Sequence, residues 1–140
     1  MIMLSELIPI KFNKIMQTRS YTVVVLGTHE KNFAIYTDPQ IGKLLQMYLT
    51  GAERPRPFTH DLISLIFKGL NIHLKQVVIS DIQDTIYFAR LFIEQQIGEE
   101  KHIVEIDARP SDCITLALMN NVPVYCTREV LEKTVPIEDS

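Results

Sequence analysis

Three pairs of β-prone runs in this chain are joined by turns too short to hold a crossover helix, and that removes most architectures built on a parallel sheet. Tyr21 to Gly27 is rich in β-branched residues and reads as a buried strand. Gly27 to Asn32 turns the chain, and Phe33 to Thr37 returns as the second arm of a hairpin. Ile72 to Ser80 and Thr85 to Gln95 form the second pair, joined through Asp81-Ile82-Gln83-Asp84. Gly98 to Lys101 then returns the chain into His102 to Asp107. Along Thr85 to Gln95, Ile86, Phe88 and Phe92 lie on one face and Tyr87, Ala89, Leu91 and Ile93 on the other, which predicts a central strand. Weaker strand patterns span Ile8 to Ile15 and Val122 to Cys126.

Helices are few. Asp38 reads as an N-cap with proline at the first helical position, and Pro39 to Thr50 carries Ile41, Leu44, Leu45, Tyr48 and Leu49 at helical spacing before Gly51. Arg54-Pro55-Arg56-Pro57 cannot be a helix interior and predicts an extended loop. Thr59 is expected to cap a second helix from His60 to Lys68, closed by Gly69. A third covers Ser111 to Asn120, opened by Pro110 or Ser111, and a short terminal one Arg128 to Lys133. The expectation is one α+β domain over residues 1–140, with a mixed, mainly antiparallel sheet and about three main helices packed on it.

At 140 residues the chain suits one ordinary core, and a net charge of -3 supplies no global basic field to draw in nucleic acid. A polyanion would have to be held by a local cluster of Arg and Lys. The apolar start from Met1 to Ile10 carries Glu6 and lacks a basic leader, which argues against a signal peptide. No apolar run is long enough for a membrane span. Cys113 and Cys126 cannot make a disulfide framework, and their spacing is not that of a zinc site. A cytoplasmic location is expected, and a homo-oligomer is compatible with this composition.

Two polar segments carry the chemistry. In the first, alternation places Val104 and Ile106 on one face of their strand, with Ile103, Glu105 and Asp107 on the other. Carboxylates at Glu105 and Asp107 stand roughly 6 to 7 Å apart at Cα, given a rise of about 3.3 Å per residue, and either share a divalent cation or form a solvated sheet edge. Ser111 and Asp112 are placed to cap the following helix. Arg109 is a cation at the positive end of that helix dipole, so it needs Asp107 or Asp112 as a partner, or an anionic ligand. In the second segment, Arg54 and Arg56 precede the helix start Thr59-His60-Asp61. Two guanidinium groups there suit a phosphate, with His60 as general acid or base and Asp61 orienting it. Alternatively Thr59 and Asp61 are caps and the arginines solvate a loop. His29, His73 and His102 are scattered outside any metal-ligand spacing and read as surface residues. Cys113 reads as a small core residue, and Arg90 as a side chain that snorkels or pairs with an acid. There is no P-loop, no dinucleotide-binding glycine motif and no nucleophile elbow.

These pieces together resemble the bifunctional nuclease domain family. The resemblance rests on Tyr21 to Gly27, Pro55-Arg56-Pro57-Phe58-Thr59-His60-Asp61-Leu62, Tyr87-Phe88-Ala89, and Asp107 to Asp112 followed by Leu116-Ala117-Leu118, with Pro123 and Glu129-Val130-Leu131. It runs from Tyr21 to Leu131 and implies cleavage of both DNA and RNA. Arg56, Thr59, His60, Asp61, Asp107, Arg109, Ser111 and Asp112 carry over. On the hypothesis of a phosphodiesterase, the catalytic set is His60, Asp61, Asp107 and Asp112, and the phosphate-binding set is Arg54, Arg56, Arg109 and Ser111. Asp107, Asp112 and Glu105 would hold Mg²⁺ or Mn²⁺. Nucleic acid is the implied partner. One position departs: two residues after the proline that opens the first helix, the family commonly has a glutamate followed by a small residue, and here Ile41 precedes Gly42. The competing reading is a non-catalytic domain that binds an anion or a partner through the same arginines and helix ends.

Overall fold

A computed structural model describes residues 6–137, so the first five residues of the apolar start lie outside it. The strands are β1 (Leu7–Gln17), β2 (Thr22–Gly27), β3 (Asn32–Thr37), β4 (Ile72–Gln83), β5 (Ile86–Ile97), β6 (Glu100–Ala108) and β7 (Val124–Thr127), and they form one sheet in the order β3-β2-β1-β7-β4-β5-β6. Every neighbouring pair is antiparallel except β4 and β7. The expected α+β fold with a mixed, mainly antiparallel sheet is therefore what the chain adopts.

β1 joins the two halves of the sheet by dividing its length between partners. Leu7 to Ile10 pair with β7, whereas Lys11 to Gln17 pair with β2 across an irregularity between Phe12 and Lys14. An irregular step of this kind bends a strand and re-aims it. The sheet curls far enough for Phe33 of β3 to stack on Tyr87 of β5, with ring centroids 6.1 Å apart. β5 runs between β4 and β6, so its two apolar faces belong to an interior strand, one position in from the edge.

The helices are α1 (Pro39–Thr50), α2 (Thr59–Gly69), α3 (Pro110–Asn120) and the short α4 (Arg128–Lys133). α1 has the expected ends: Asp38 accepts from the Ile41 N–H at 3.0 Å, and Gly51 closes it at φ 70°. Its seat on β2 is tight. A Cβ at Gly42 would lie 2.1 Å from the Thr22 hydroxyl, so only glycine lets the helix approach this closely. α2 starts one residue earlier than expected. Phe58 occupies the N-cap position, Thr59 is already helical, and the Asp61 carboxylate reaches back to accept from the Phe58 N–H at 2.8 Å. The apolar ring cannot accept a hydrogen bond, so this is only the return half of a capping box.

α3 is the central helix, with Cys113, Ile114, Thr115, Leu116 and Ala117 all buried. One side of it joins Leu45, Val130, Leu131 and the β1–β3 residues Ile8, Val24 and Phe33 in one cluster. The other side joins Leu74, Val77, Leu91 and Ile93 beneath α2 in a second. A helix wedged between two clusters needs apolar residues nearly all round, which is why α3 shows little amphipathic contrast in sequence.

Candidate functional site

Three long helices begin around one cleft of about 610 Å³. α1 contributes Gln40, Ile41 and Lys43, α2 contributes Thr59 and His60, and the N-cap and first turn of α3 contribute Arg109 and Asp112, with Leu91 and Ala108 of the sheet also lining it. The N–H groups of a helix's first turn have no intrahelical acceptor, so such a cleft favours anions. α3 offers no side-chain cap of its own, because Arg109 stands at its N-cap position.

At its centre, His60 Nε2 lies 2.9 Å from Asp112 Oδ1. The two polar segments thus meet in space. Arg109 donates to the same carboxylate, Nε to Oδ2 at 2.8 Å and Nη2 to Oδ1 at 3.3 Å, so Arg109 has the carboxylate partner its position demanded. Burial pushes the Asp112 carboxyl up, but the hydrogen bonds from Arg109 and His60, reinforced by their charges, outweigh it and hold the group below the usual carboxylate range. An ionised carboxylate only accepts, so Nε2 is the protonated ring nitrogen. The other nitrogen, Nδ1, is buried and has no hydrogen-bond partner among the described residues, in a side chain whose residue is 5% exposed. A buried polar atom without a partner is costly and calls for an explanation. Asp38, the cap of α1, also lies close enough to add to the field that keeps Arg109 charged.

Arg54 and Asp61 stand elsewhere. They line a larger cleft of about 1120 Å³ that excludes His60, whereas the His60 cleft excludes them both. Arg54 grips Asp61 with two bonds of 2.6 Å, donates to the Ala52 carbonyl at 3.1 Å, and stacks 4.3 Å above the Tyr48 ring. The Arg54 guanidinium holds the Asp61 carboxyl below its usual range against the opposing effect of burial. Burial, followed by the Asp61 charge, pushes the Tyr48 phenol up to about 12, although its hydroxyl makes no hydrogen bond of good geometry. Arg54 is thereby committed within the chain. Arg56 is exposed and makes no hydrogen bond or ion pair among the described residues. The larger cleft lacks the convergence of helix starts, so the smaller one is the better candidate.

The sheet divides the Asp107 to Asp112 segment. Opposed residues of antiparallel strands share a face. Ala108 and Ile106 sit opposite Ala89 and Leu91, on the side that packs against α3. Asp107 and Glu105 sit opposite Arg90 and Phe92, on the other side. Glu105 lies 3.6 Å from Arg90, giving that arginine an acidic partner. Glu105, Asp107 and Asp112 therefore do not gather into a donor set. No group of three or more His, Cys, Asp or Glu able to hold a metal exists among the described residues. Ser111 is buried at the start of α3, where its carbonyl accepts from Thr115. Cys113 is a core residue whose thiol burial pushes up to about 12. Lys43 was not singled out in the sequence. Its only signal is a cation in the second turn of a helix, too common a feature to stand out. No helix of the described residues is long and apolar enough to cross a membrane.

Comparison with known proteins places the chain in a family. An uncharacterized protein of Mycobacterium tuberculosis, found in strains CDC 1551 and H37Rv, is 40% identical over 81 residues, covering 58% of this chain and 45% of the relative. Bifunctional nuclease 1 of Oryza sativa subsp. indica is 26% identical over 76 residues, covering 54% of this chain and 23% of that protein. The match thus spans less than half the length of these relatives. The model of the bifunctional nuclease domain matches residues 24–138, most of the sequence, and takes in all the strands and helices from β3 to α4. With the Arg56 to Asp61 and Asp107 to Asp112 segments both inside that match, the chain belongs to the bifunctional nuclease domain family.

Proposed function

We propose that this chain hydrolyses phosphodiester bonds of nucleic acid in the cleft bounded by α1, α2 and α3. The observation that carries this reading is the 2.9 Å contact of His60 with Asp112, which orients an imidazole among three helix starts. A carboxylate on Nε2 fixes the ring and leaves Nδ1 as the position that takes or gives a proton. Arg109 and Lys43 hold the phosphate with the free N–H groups at the start of α3, including that of Ser111. Arg56, on the exposed loop before α2, extends the contact along the strand of nucleic acid. Asp61 and Arg54 stiffen that loop. Glu105 and Asp107 lie outside this arrangement, and no step is assigned to Mg²⁺ or Mn²⁺, because Glu105, Asp107 and Asp112 do not form one three-ligand group among the described residues.

A second reading is favoured by one specific observation. Both ring nitrogens of His60 are withdrawn from solvent, one by Asp112 and the other by burial. An imidazole held in this way suits a domain that binds an anion or a partner without cleaving it. Under the first reading, substrate has to open the cleft wall to reach Nδ1.

The test is cleavage of single-stranded RNA and DNA by wild type, His60→Ala, Asp112→Asn and Arg56→Ala, with and without EDTA. Hydrolysis predicts a loss of at least about 100-fold for the first two variants, the usual effect of removing a general acid or base. Cleavage unchanged in His60→Ala would sink the catalytic reading. Oligonucleotide binding by wild type without cleavage would establish the second.

A further inference from the structure

β6 forms one end of the sheet and leaves its outer row of backbone groups unpaired. Natural edges of this kind are commonly blunted by brevity, charged side chains, proline, bulges or a covering element. Of these, β6 has the charges of Glu100, Lys101, Glu105 and Asp107. It runs nine residues, contains no proline, and pairs with β5 without a break in register. Its apolar side chains are open to solvent: Ile103 is 71% exposed, Val104 46% and Ile106 36%. The opposite edge, β3, is six residues long.

We infer that β6 pairs antiparallel with β6 of a second copy of this chain, with Val104 facing Val104 across a two-fold axis. Charge selects both the partner and the register. Centring the pair on Val104 sets Lys101 of each copy opposite Asp107 of the other, twice by symmetry, and opposes no like charges within the strands. Centring on Ile103 sets Lys101 opposite Glu105, which Arg90 already engages, and brings Glu99 of the preceding turn against Asp107, while centring on Glu105 sets that residue against itself. Both ends of the favoured ion pair are available. Asp107 is exposed and makes no hydrogen bond or ion pair among the described residues. Lys101 has only a 3.5 Å contact with Glu94, which Lys75 also approaches at 3.5 Å. The favoured register also brings Ile106 opposite His102 on the helix-bearing face, beside the two copies of Val104. This pairing is independent of the phosphodiesterase reading.

Sedimentation velocity over a range of concentrations, with the full chain, tests the pairing. Wild type is expected to show a reversible monomer–dimer equilibrium. Lys101→Asp and Asp107→Lys are each expected to weaken it about tenfold by opposing like charges at two symmetric positions, and the double variant restores it. Val104→Cys supplies a second readout. Opposed residues stand about 4.5 to 5.5 Å apart at Cα, within disulfide reach, and both native cysteines are buried. Under mild oxidation Val104→Cys is expected to give a covalent dimer much faster than Tyr36→Cys on the β3 edge. A chain that stays monomeric overturns the inference, as does a dimer indifferent to both charge reversals or a Val104→Cys no faster than Tyr36→Cys.

Discussion

His60 Nε2 sits 2.9 Å from Asp112 Oδ1, so two residues 52 positions apart hold the first turn of α2 against the first turn of α3. The contact orients the imidazole, and it also fixes the spacing of the two helix starts that line the cleft.

This contact should be visible in acid unfolding. Asp112 is held below the usual carboxylate range in the folded chain, while an unfolded Asp titrates near ~3.9. Its stabilisation is therefore complete above about pH 4 and is lost as pH falls through the lower folded value. Asp61 acts in the same direction through Arg54. Asp112→Asn is expected to be less stable at neutral pH and to have a shallower acid limb than wild type. Calorimetric melts between about pH 7 and pH 3 check this; parallel limbs would remove Asp112 as a contributor.

Arg54→Ala should cost about 1–3 kcal/mol, because it strips a partly buried Asp61 of a two-point, charge-assisted partner. Lys at this position should recover less than half of the loss, since a single ammonium cannot match the guanidinium fork or its stacking on Tyr48. Urea denaturation curves of the three proteins decide the matter.

Arg56 and Arg54 should separate in binding. Arg56 is free to meet phosphate, so Arg56→Ala is expected to weaken binding of single-stranded oligonucleotides and to reduce the salt dependence by about one counterion. Arg54→Ala, measured where it remains folded, should leave that slope unchanged. Titrations by fluorescence anisotropy at several salt concentrations give both slopes, and equal losses would contradict the assignment.

Gly42→Ala tests the seat of α1. The added methyl would lie 2.1 Å from the Thr22 hydroxyl and 2.6 Å from the Gln17 amide, so the helix must lift or the side chains must move. Overpacking of this kind costs about 1–3 kcal/mol. Thermal melts should show a clear drop despite alanine's better helix propensity. An unchanged or raised melting temperature would mean that the helix shifts freely.

Much of this was legible in the residues. Short turns gave the antiparallel pairs, Asp38 with Pro39 and Gly51 marked α1, and the misplaced charge of Arg109 called for the carboxylate that Asp112 provides. The parallel pairing of β4 with β7 was not legible, because nothing local distinguishes a four-residue strand's neighbours. Nor was the commitment of Arg54 to Asp61, which depends on how the proline-rich loop folds back over Tyr48. The alternation of Glu105 and Asp107 was readable, but which face the helices would cover was not, and that choice separates both acids from His60. The small residue after Ile41 has a packing cause in the close approach to Thr22, while Ile41 itself places an apolar side chain in the candidate cleft.

The place of β7 has a consequence for assembly in time. Four residues near the end of the sequence lie between β1 and β4 and bridge the first three strands to the second three. Until Val124 to Thr127 leave the ribosome, a growing chain holds two separate antiparallel units, each with an open side. Strand pairings far apart in sequence form late because their loops are long to close. A nascent chain stalled before Val124 should therefore be captured by holdase chaperones, and one released after α4 should not.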